Sequence, residues 1–348
     1  KAKENFEKMR RDNILRQDPE PSLYIYRQIW KGHEQYGIVG RASADEYNDD
    51  IIKKHEHTRK KKEDDRTRHV LTLNANAGPV FLTYRDNKKI DEIVADYCSK
   101  NNPEVDFTKE DGIRHTVWVI KDKVLNTEIS RVFENDVDNL YVADGHHRSA
   151  SAARAKAEKM KNDPHPSPDK AYNYFLSVFF PAGQLKILDY NRVLFTMNDL
   201  TKDEFLNKIK DSFDVVERGR KKPEKQKEFG LYIDGEWYML QARKGTYPEN
   251  DPVESLDVAI LQNNLLTPVL GIGNPKEDEN IDFVGGIRGT EELEKRVDSG
   301  ECTMAFSLYP TGIDQLMGVA DAGKVMPPKS TWFEPKLRSG LIVHLLED

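Results

Sequence analysis

Apolar positions in this chain come in short blocks whose spacing switches between two and three to four, the mark of strands alternating with helices. Residues 23–30 (LYIYRQIW) alternate and are aromatic-rich, and residues 33–40 repeat the pattern after a turn, which predicts a hairpin of half-buried strands. Residues 79–84 (PVFLTY) and 116–120 (TVWVI) read as strands. Residues 90–100 form a helix with Ile90, Ile93, Val94 and Tyr97 on one face, and residues 125–133 a second. Residues 1–16 carry Phe6, Met9, Ile14 and Leu15 at a weak helical period. Further on, residues 172–181 and 185–195 predict two long strands, residues 202–213 a helix and residues 215–217 a strand. Residues 229–243 are a hairpin about Asp234 and Gly235, the strongest local signal in the chain. A helix is expected over 254–266. Residues 281–284, 291–297 and 304–309 read as one βαβ unit with a right-handed crossover, followed by a short helix over 313–319 and a closing strand over 341–346. Such alternation predicts a mixed α/β fold.

Three polar stretches interrupt this pattern. Residues 44–68 hold Asp45, Glu46, Asp49, Asp50, Glu56 and Lys60–Lys62 among many other charges, with Ile51 and Ile52 almost the only large apolar side chains. Two readings stand: a solvated helix stitched by i,i+4 ion pairs, or a helix turning one carboxylate (Glu56, Asp64 or Asp65) inward as general base or Mg²⁺ ligand. A zinc-protease signature is excluded, because the second histidine falls at His57 and Arg59 holds the required position. Residues 219–227 read as a basic exposed loop. Residues 326–339 combine the stiffening Pro327 and Pro328 with Lys329, Lys336 and Arg338, either a lid over an anionic substrate or a loop that packs Trp332 and Phe333 on the core. Gly285 and Gly286, with Arg288 behind them, could hold a small anion or make a plain turn.

The segment on which chemistry converges is 140–153, LYVADGHHRSASAA. It reads strand, tight turn, helix start. The opening N–H groups of a helix lack internal partners and sit at the positive end of its dipole, so a phosphate there gains hydrogen bonds and charge stabilisation together. Gly145 permits close approach, His146, His147 and Arg148 add donors, and Ser149 to Ala153 keep the first turns slim. The competing reading is a capped structural helix with a basic turn. A metal held by the two adjacent histidines is disfavoured, because neighbouring side chains diverge.

Composition sets outer bounds. At 348 residues and 40.1 kDa the chain is long enough for two lobes, expected at 1–168 and 169–348. Hydrophobic residues at 37% and charged residues at 32% suit a highly charged globular protein, and a net charge of −7 argues against a general nucleic-acid surface while leaving room for a local basic pocket. Cys98 and Cys302 show no zinc or disulfide spacing. With no apolar run of membrane-span length and no signal peptide, a cytoplasmic protein is expected. The chain opens on Lys1 inside a helical pattern.

The 140–153 segment resembles the Gly-x-x-Arg box of the ParB and sulfiredoxin superfamily, in which this turn and helix hold nucleotide phosphates. More closely, the chain resembles the family known as domain of unknown function 1015. The residues that carry this are GRASADEYNDDIIKKHEHTRKKKEDDR from Gly40, FFPAGQLKILDYNRV from Phe179, DFVGGIRGTEELEKRVDSGE from Asp282 and MPPKSTWFEPKLRSGL from Met326. The resemblance implies a ParB/sulfiredoxin-like nucleotide-binding core with a second α/β lobe, and an N-terminal segment preceding Lys1. A related ParB-like branch contains nucleotide-dependent kinases of free L-serine, which implies a small-molecule kinase using ATP or ADP with Mg²⁺.

On that reading Gly145, His146, His147, Arg148 and Ser149 cradle the nucleotide, and Glu56, Asp144 and His147 are the catalytic candidates. Asp144, Asp64 and Asp65 are the Mg²⁺ candidates, and Arg288, Lys329, Lys336 and Arg338 would bind the acceptor. The expected partners are a nucleotide and a small hydroxyl-bearing substrate, with neither membrane nor nucleic acid and with a homo-oligomer allowed. The alternative is a ParB-like nucleotide switch without turnover, although no helix-turn-helix with a basic face is evident. Sulfiredoxin-like repair is excluded, because His146 occupies the place of the cysteine it needs.

Overall fold

A computed structural model describes residues 1–347, which divide into two compact units. One comprises Lys1–Leu185 with the residues from Pro335 onward, the other Lys186–Glu334. The fold is mixed α/β. The first unit extends past residue 168 because the strand Tyr174–Pro181 is built into its sheet, and the chain returns to it at Pro335.

An eight-stranded sheet organises the first unit. Its order is Ile52–Lys53, Leu140–Asp144, Val80–Tyr84, Tyr174–Pro181, His33–Ser43, Leu23–Trp30, Arg114–Ile120 and Val105–Thr108. Ile52–Lys53 runs parallel to Leu140–Asp144, and Val80–Tyr84 runs parallel to Tyr174–Pro181; the remaining neighbours are antiparallel. The expected hairpin is present, with Trp30 opposite His33 and both turn residues, Lys31 and Gly32, at positive φ as a tight two-residue loop requires. Ile25, Ile38, Leu82, Val142 and Phe175 fill the core with Ile90, Val94, Ile129 and Val132 from the helices Lys88–Lys100 and Lys123–Asp136. Those helices are capped by the side chains of Asn87 and Asp122, each accepting two backbone N–H bonds.

The second unit carries a six-stranded antiparallel sheet in the order Phe213–Arg218, Glu236–Ala242, Glu228–Ile233, Met304–Leu308, Tyr190–Leu194, Ile281–Gly285. Val193, Tyr232, Trp237, Val284, Leu293 and Ala305 pack on one another there. Asp234 and Gly235 both take positive φ in the expected turn. No helix among the described residues is long and apolar enough to cross a membrane.

Several elements differ from the sequence reading. The polar stretch is two helices, Ala44–Asn48 and Lys60–Leu73, separated where Asp50 adopts φ +62 and the fully buried Ile52 enters the sheet opposite Leu140. Residues 185–195 split at Asp189 into Lys186–Leu188, paired with Trp332–Glu334, and Tyr190–Leu194 in the main sheet. The expected helix over 254–266 starts at Asp257 and passes through a π turn at Gln262–Leu266 into Thr267–Leu270. Pro268 is accommodated at that last segment's first turn. Ile281–Gly285 and Met304–Leu308 are joined by a helix as expected but are not neighbours, because Tyr190–Leu194 lies antiparallel between them. The closing strand shrinks to His344–Leu345 beside Ala75–Asn76.

Candidate functional site

The strand Leu140–Asp144 and the helix His146–Asn162 are joined by Gly145 alone, which lies at φ +105, ψ 25. A side chain there would strain the backbone, and its Cβ would sit 3.0 Å from Arg148 Nε and 3.1 Å from Nη2. Gly145 thus serves two ends: it turns the chain in one residue and leaves space for the Arg148 guanidinium. Its carbonyl takes the N–H groups of Arg148 and Ser149 at 2.8 and 2.9 Å. The N–H groups of His146 and His147 precede any helical partner and point out of the helix start.

Arg148 reaches back to the strand end, 3.7 Å from Asp144 Oδ1, and about a third of its side chain is exposed. Gly78 lies alongside it and packs against Ser339, since a Cβ at that position would sit 2.9 Å from Ser339 Oγ. Asp144 Oδ2 accepts a hydrogen bond from Lys336 Nζ at 2.8 Å. Burial pushes the Asp144 carboxyl up, but Lys336, Arg148 and the Gly145 N–H outweigh it and hold the group below the ordinary aspartate range. The Arg148 guanidinium is drawn below its ordinary value by burial, with Asp144 opposing and the charge of Arg66 adding to the fall.

The two histidines of the box part company. His146 is 5% exposed and meets His55, 3% exposed, edge to face with ring centroids 4.4 Å apart. Burial lowers His146 to about 3 and takes His55 well below its ordinary value, so both rings are neutral. His146 Nε2 and His55 Nδ1 have no hydrogen-bond partner. The His146 side chain is therefore turned into the interior against His55, which corrects its expected role as a side-chain donor and leaves its backbone N–H at the helix start. Ser149 is also corrected, being fully buried with its hydroxyl donating back to the Gly145 carbonyl at 3.2 Å. His147 stays at the opening, where its Nε2 accepts the Arg59 N–H at 3.0 Å. Burial lowers it, and Glu56 works against that fall.

These residues open onto a cleft of about 1350 Å³ within the first unit. Its floor is apolar, from Ala75, Val80, Ala152, Phe175 and Leu176, and its rim is the polar helix Lys60–Leu73. Glu56 lines the cleft with half its side chain exposed, 4.0 Å from His146 Nδ1. Asp64 and Asp65 line it too, but Asp64 accepts from Lys60 at 2.9 Å and Arg154 at 2.7 Å, and Asp65 from Arg68 at 2.8 Å. Asp144, Asp64 and Asp65 form no metal-binding cluster, since among the described residues no group of three or more His, Cys, Asp or Glu side chains is placed to hold an ion. Instead the helix presents Lys61, Lys62, Arg66 and His69 to the cleft. Sequence reasoning weighed this segment for its acids and missed those cations, although 62, 66 and 69 share one helical face.

The remaining candidates are held elsewhere. Arg338 donates from Nε to His115 Nε2 at 3.1 Å and pairs with Asp111, while His115 Nδ1 meets the Tyr26 hydroxyl at 2.6 Å. That network fastens residues beyond Pro335 to the sheet. Arg288 and Lys329 belong to the second unit. Arg288 is largely exposed, 3.5 Å from Glu292, and the Lys329 ammonium lies over the Tyr190 ring at 5.4 Å. The Pro327 loop is tied down, by Arg192 to the Lys329 carbonyl at 3.1 Å and by Thr311 to the Ser330 carbonyl at 2.8 Å. Gly285 and Gly286 are required by close packing, since a Cβ would strike the Trp332 ring at one and Asp189 at the other, and the Gly286 N–H donates to the Asp189 carbonyl at 2.8 Å.

Fold and site together define a mixed α/β protein with a cationic cleft opening onto a glycine turn at a helix start, the geometry of an anion site. The chain matches the family described as "Protein of unknown function (DUF1015)" over residues 1–259 and belongs to that family. No curated protein matches it. Among solved structures, a free serine kinase in complex with AMP is similar at 14% identity and TM-score 0.40, covering 85% of this chain and 86% of that one. A conserved hypothetical protein from Pyrococcus furiosus is similar at 15% identity and TM-score 0.41, over 88% of this chain and 95% of that one. SbnI with a C-terminal truncation, from Staphylococcus aureus, is similar at 12% identity and TM-score 0.42, over 88% and 87%.

Proposed function

We propose that this protein is a nucleotide-dependent phosphotransferase that phosphorylates the hydroxyl of a small molecule, free L-serine or a compound like it. The observation that carries the reading is the Gly145 turn with Arg148 folded against it, at the mouth of a cleft whose rim is cationic. Resemblance of the Gly-His-His-Arg segment to the ParB-type phosphate box supports a nucleotide as the ligand.

Phosphoryl transfer asks little covalent chemistry of a protein and much positioning and charge stabilisation. The N–H groups at the start of the helix His146–Asn162 and the Arg148 guanidinium would hold the phosphates. The acceptor oxygen would attack the terminal phosphorus, the bond to the bridging oxygen would break toward the leaving nucleotide, and the hydroxyl proton would pass to Glu56. Glu56 suits that role because it lines the cleft, half exposed, without a cation paired to it among the described residues. Asp144 fits the pattern of Mg²⁺ sites in which one or two carboxylates and the phosphates share the ion. When bound, Mg²⁺ would offset phosphate charge. Lys336, which donates to Asp144 beside the turn, would meet an acceptor carboxylate there.

A thermal-shift panel of nucleotides with Mg²⁺, followed by a search for phosphorylated product in a pool of hydroxyl compounds that includes L-serine, tests this. A nucleotide at a hundred times its Kd should add about 2.7 kcal/mol of stability, and product should accumulate. Binding without product would make the protein a switch, and no shift with any nucleotide would remove the site.

A further inference from the structure

We propose that Lys62 and Arg66 form a second wall of the phosphate site and grip the distal phosphates of a nucleoside di- or triphosphate, so that the cleft selects its nucleotide by phosphate-chain length. This rests on the nucleotide reading above and adds the residues that discriminate.

The helix Lys60–Leu73 supplies its own control. Each of its acids is already matched to a cation: Glu63 to Arg154 at 3.3 Å, Asp64 to Lys60 and Arg154, Asp65 to Arg68. Lys62 and Arg66 line the same cleft, and neither has a carboxylate within ion-pair distance among the described residues. In a chain with 60 acidic and 53 basic side chains, acids are in surplus, so leaving these two cations unmatched is not a matter of supply. They stand four residues apart and therefore one above the other on the helix, about one 5.4 Å turn apart.

They also face the box. The charge of Lys62 acts on the His147 imidazole, and that of Arg66 acts on the Arg148 guanidinium. Lys62 and Arg66 on one helix and Arg148 on another line the same cleft, with Asp144 as the one acid within ion-pair distance of Arg148, and Lys336 already shares that acid. Like charges lining one cleft gain most from a ligand with several negative charges in a row. A monophosphate at the Gly145 turn would satisfy Arg148 and leave the opposite wall empty. A second and third phosphate would extend toward Lys62 and Arg66.

The test compares AMP, ADP and ATP by calorimetry on the full chain, in the wild type, in Lys62→Ala, Arg66→Ala and the double variant, and in Arg131→Ala as a control, an exposed arginine of the helix Lys123–Asp136 that does not line the cleft. The wild type should bind ADP and ATP at least about tenfold tighter than AMP, and the double variant should lose roughly ten- to a hundredfold for ADP and ATP while AMP changes by less than about twofold. Arg131→Ala should leave all three unchanged. Equal affinities for the three nucleotides in the wild type, or a double variant that loses AMP as severely as ADP, would overturn the second wall. Failure of every nucleotide to bind the wild type would instead remove the reading on which it rests, and that result appears before any variant is made.

Discussion

The side chains that matter most here are those whose charge the fold constrains. His146 and His55 are stacked edge to face in the interior with an unpartnered nitrogen each, and burial keeps both neutral. In the unfolded chain each titrates near 6.5, whereas folded His146 does so at about 3. Below pH 6.5 the unfolded state therefore takes up protons that the native state refuses, so this contribution to stability is complete above about pH 6.5 and is lost as pH falls toward 3. Thermal melts from pH 8 to 4 should show the midpoint falling below about pH 6, with a shallower fall in His146→Gln. An identical slope in that variant would mean the pair does not control acid sensitivity. Glu56 carries a separate expectation. Glu56→Gln should keep the fold and nucleotide affinity and lower turnover by about 10²-fold or more, as loss of a general base does. Turnover within a few-fold of wild type would move that role to another acid of the cleft.

Elements with a strong period were the most legible in the sequence. The hairpins at Lys31–Gly32 and Asp234–Gly235 and the helix Lys88–Lys100 follow from local turn chemistry and an apolar stripe, and they form as read. The strand, glycine and helix about Gly145 were legible for the same reason. What could not be read locally was set by distant partners. Ile52 becomes a strand residue only because Leu140 lies beside it, and Asp189 divides two strands because Trp332–Glu334 and Ile281–Gly285 claim different sides of it. Within the site, His146 and His147 look alike in sequence. Only the position of His55 sends one inward. The Pro327 segment reads in sequence as either a lid or a packed loop, and the side chains of Arg192 and Thr311 hold it by donating to its Lys329 and Ser330 carbonyls. The stretch after Pro335 is fastened through Arg338 to His115 and Asp111, and Gln28 donates to the Lys336 carbonyl at 3.0 Å. Arg338→Ala should accordingly speed proteolysis within residues 335–347 and cost about 1–3 kcal/mol of stability, the scale of a charged hydrogen bond lost with its partners left behind. An unchanged digestion pattern would show that the other contacts suffice.

For the molecule as a whole, the informative contrast is between a net charge of −7 and a cleft rimmed by Lys61, Lys62 and Arg66. The acidic balance repels polyanions at long range, and the local cations attract one ligand at short range. Attraction of that kind is screened by salt, with a Debye length of about 10 Å at 0.1 M falling to about 3 Å at 1 M. Nucleotide affinity should then fall about tenfold between 0.05 and 0.5 M salt. A flat salt response would place the binding energy in the apolar floor of Val80, Phe175 and Leu176.

The central claim is that the Gly145 turn holds nucleotide phosphates through Arg148, and calorimetry of ADP binding to the wild type and to Arg148→Ala tests it most directly. Removal of that guanidinium should weaken binding by about 1–3 kcal/mol, roughly five- to 150-fold, with the melting transition of the free protein little changed. A folded Arg148→Ala variant that binds ADP as tightly as the wild type would contradict the account.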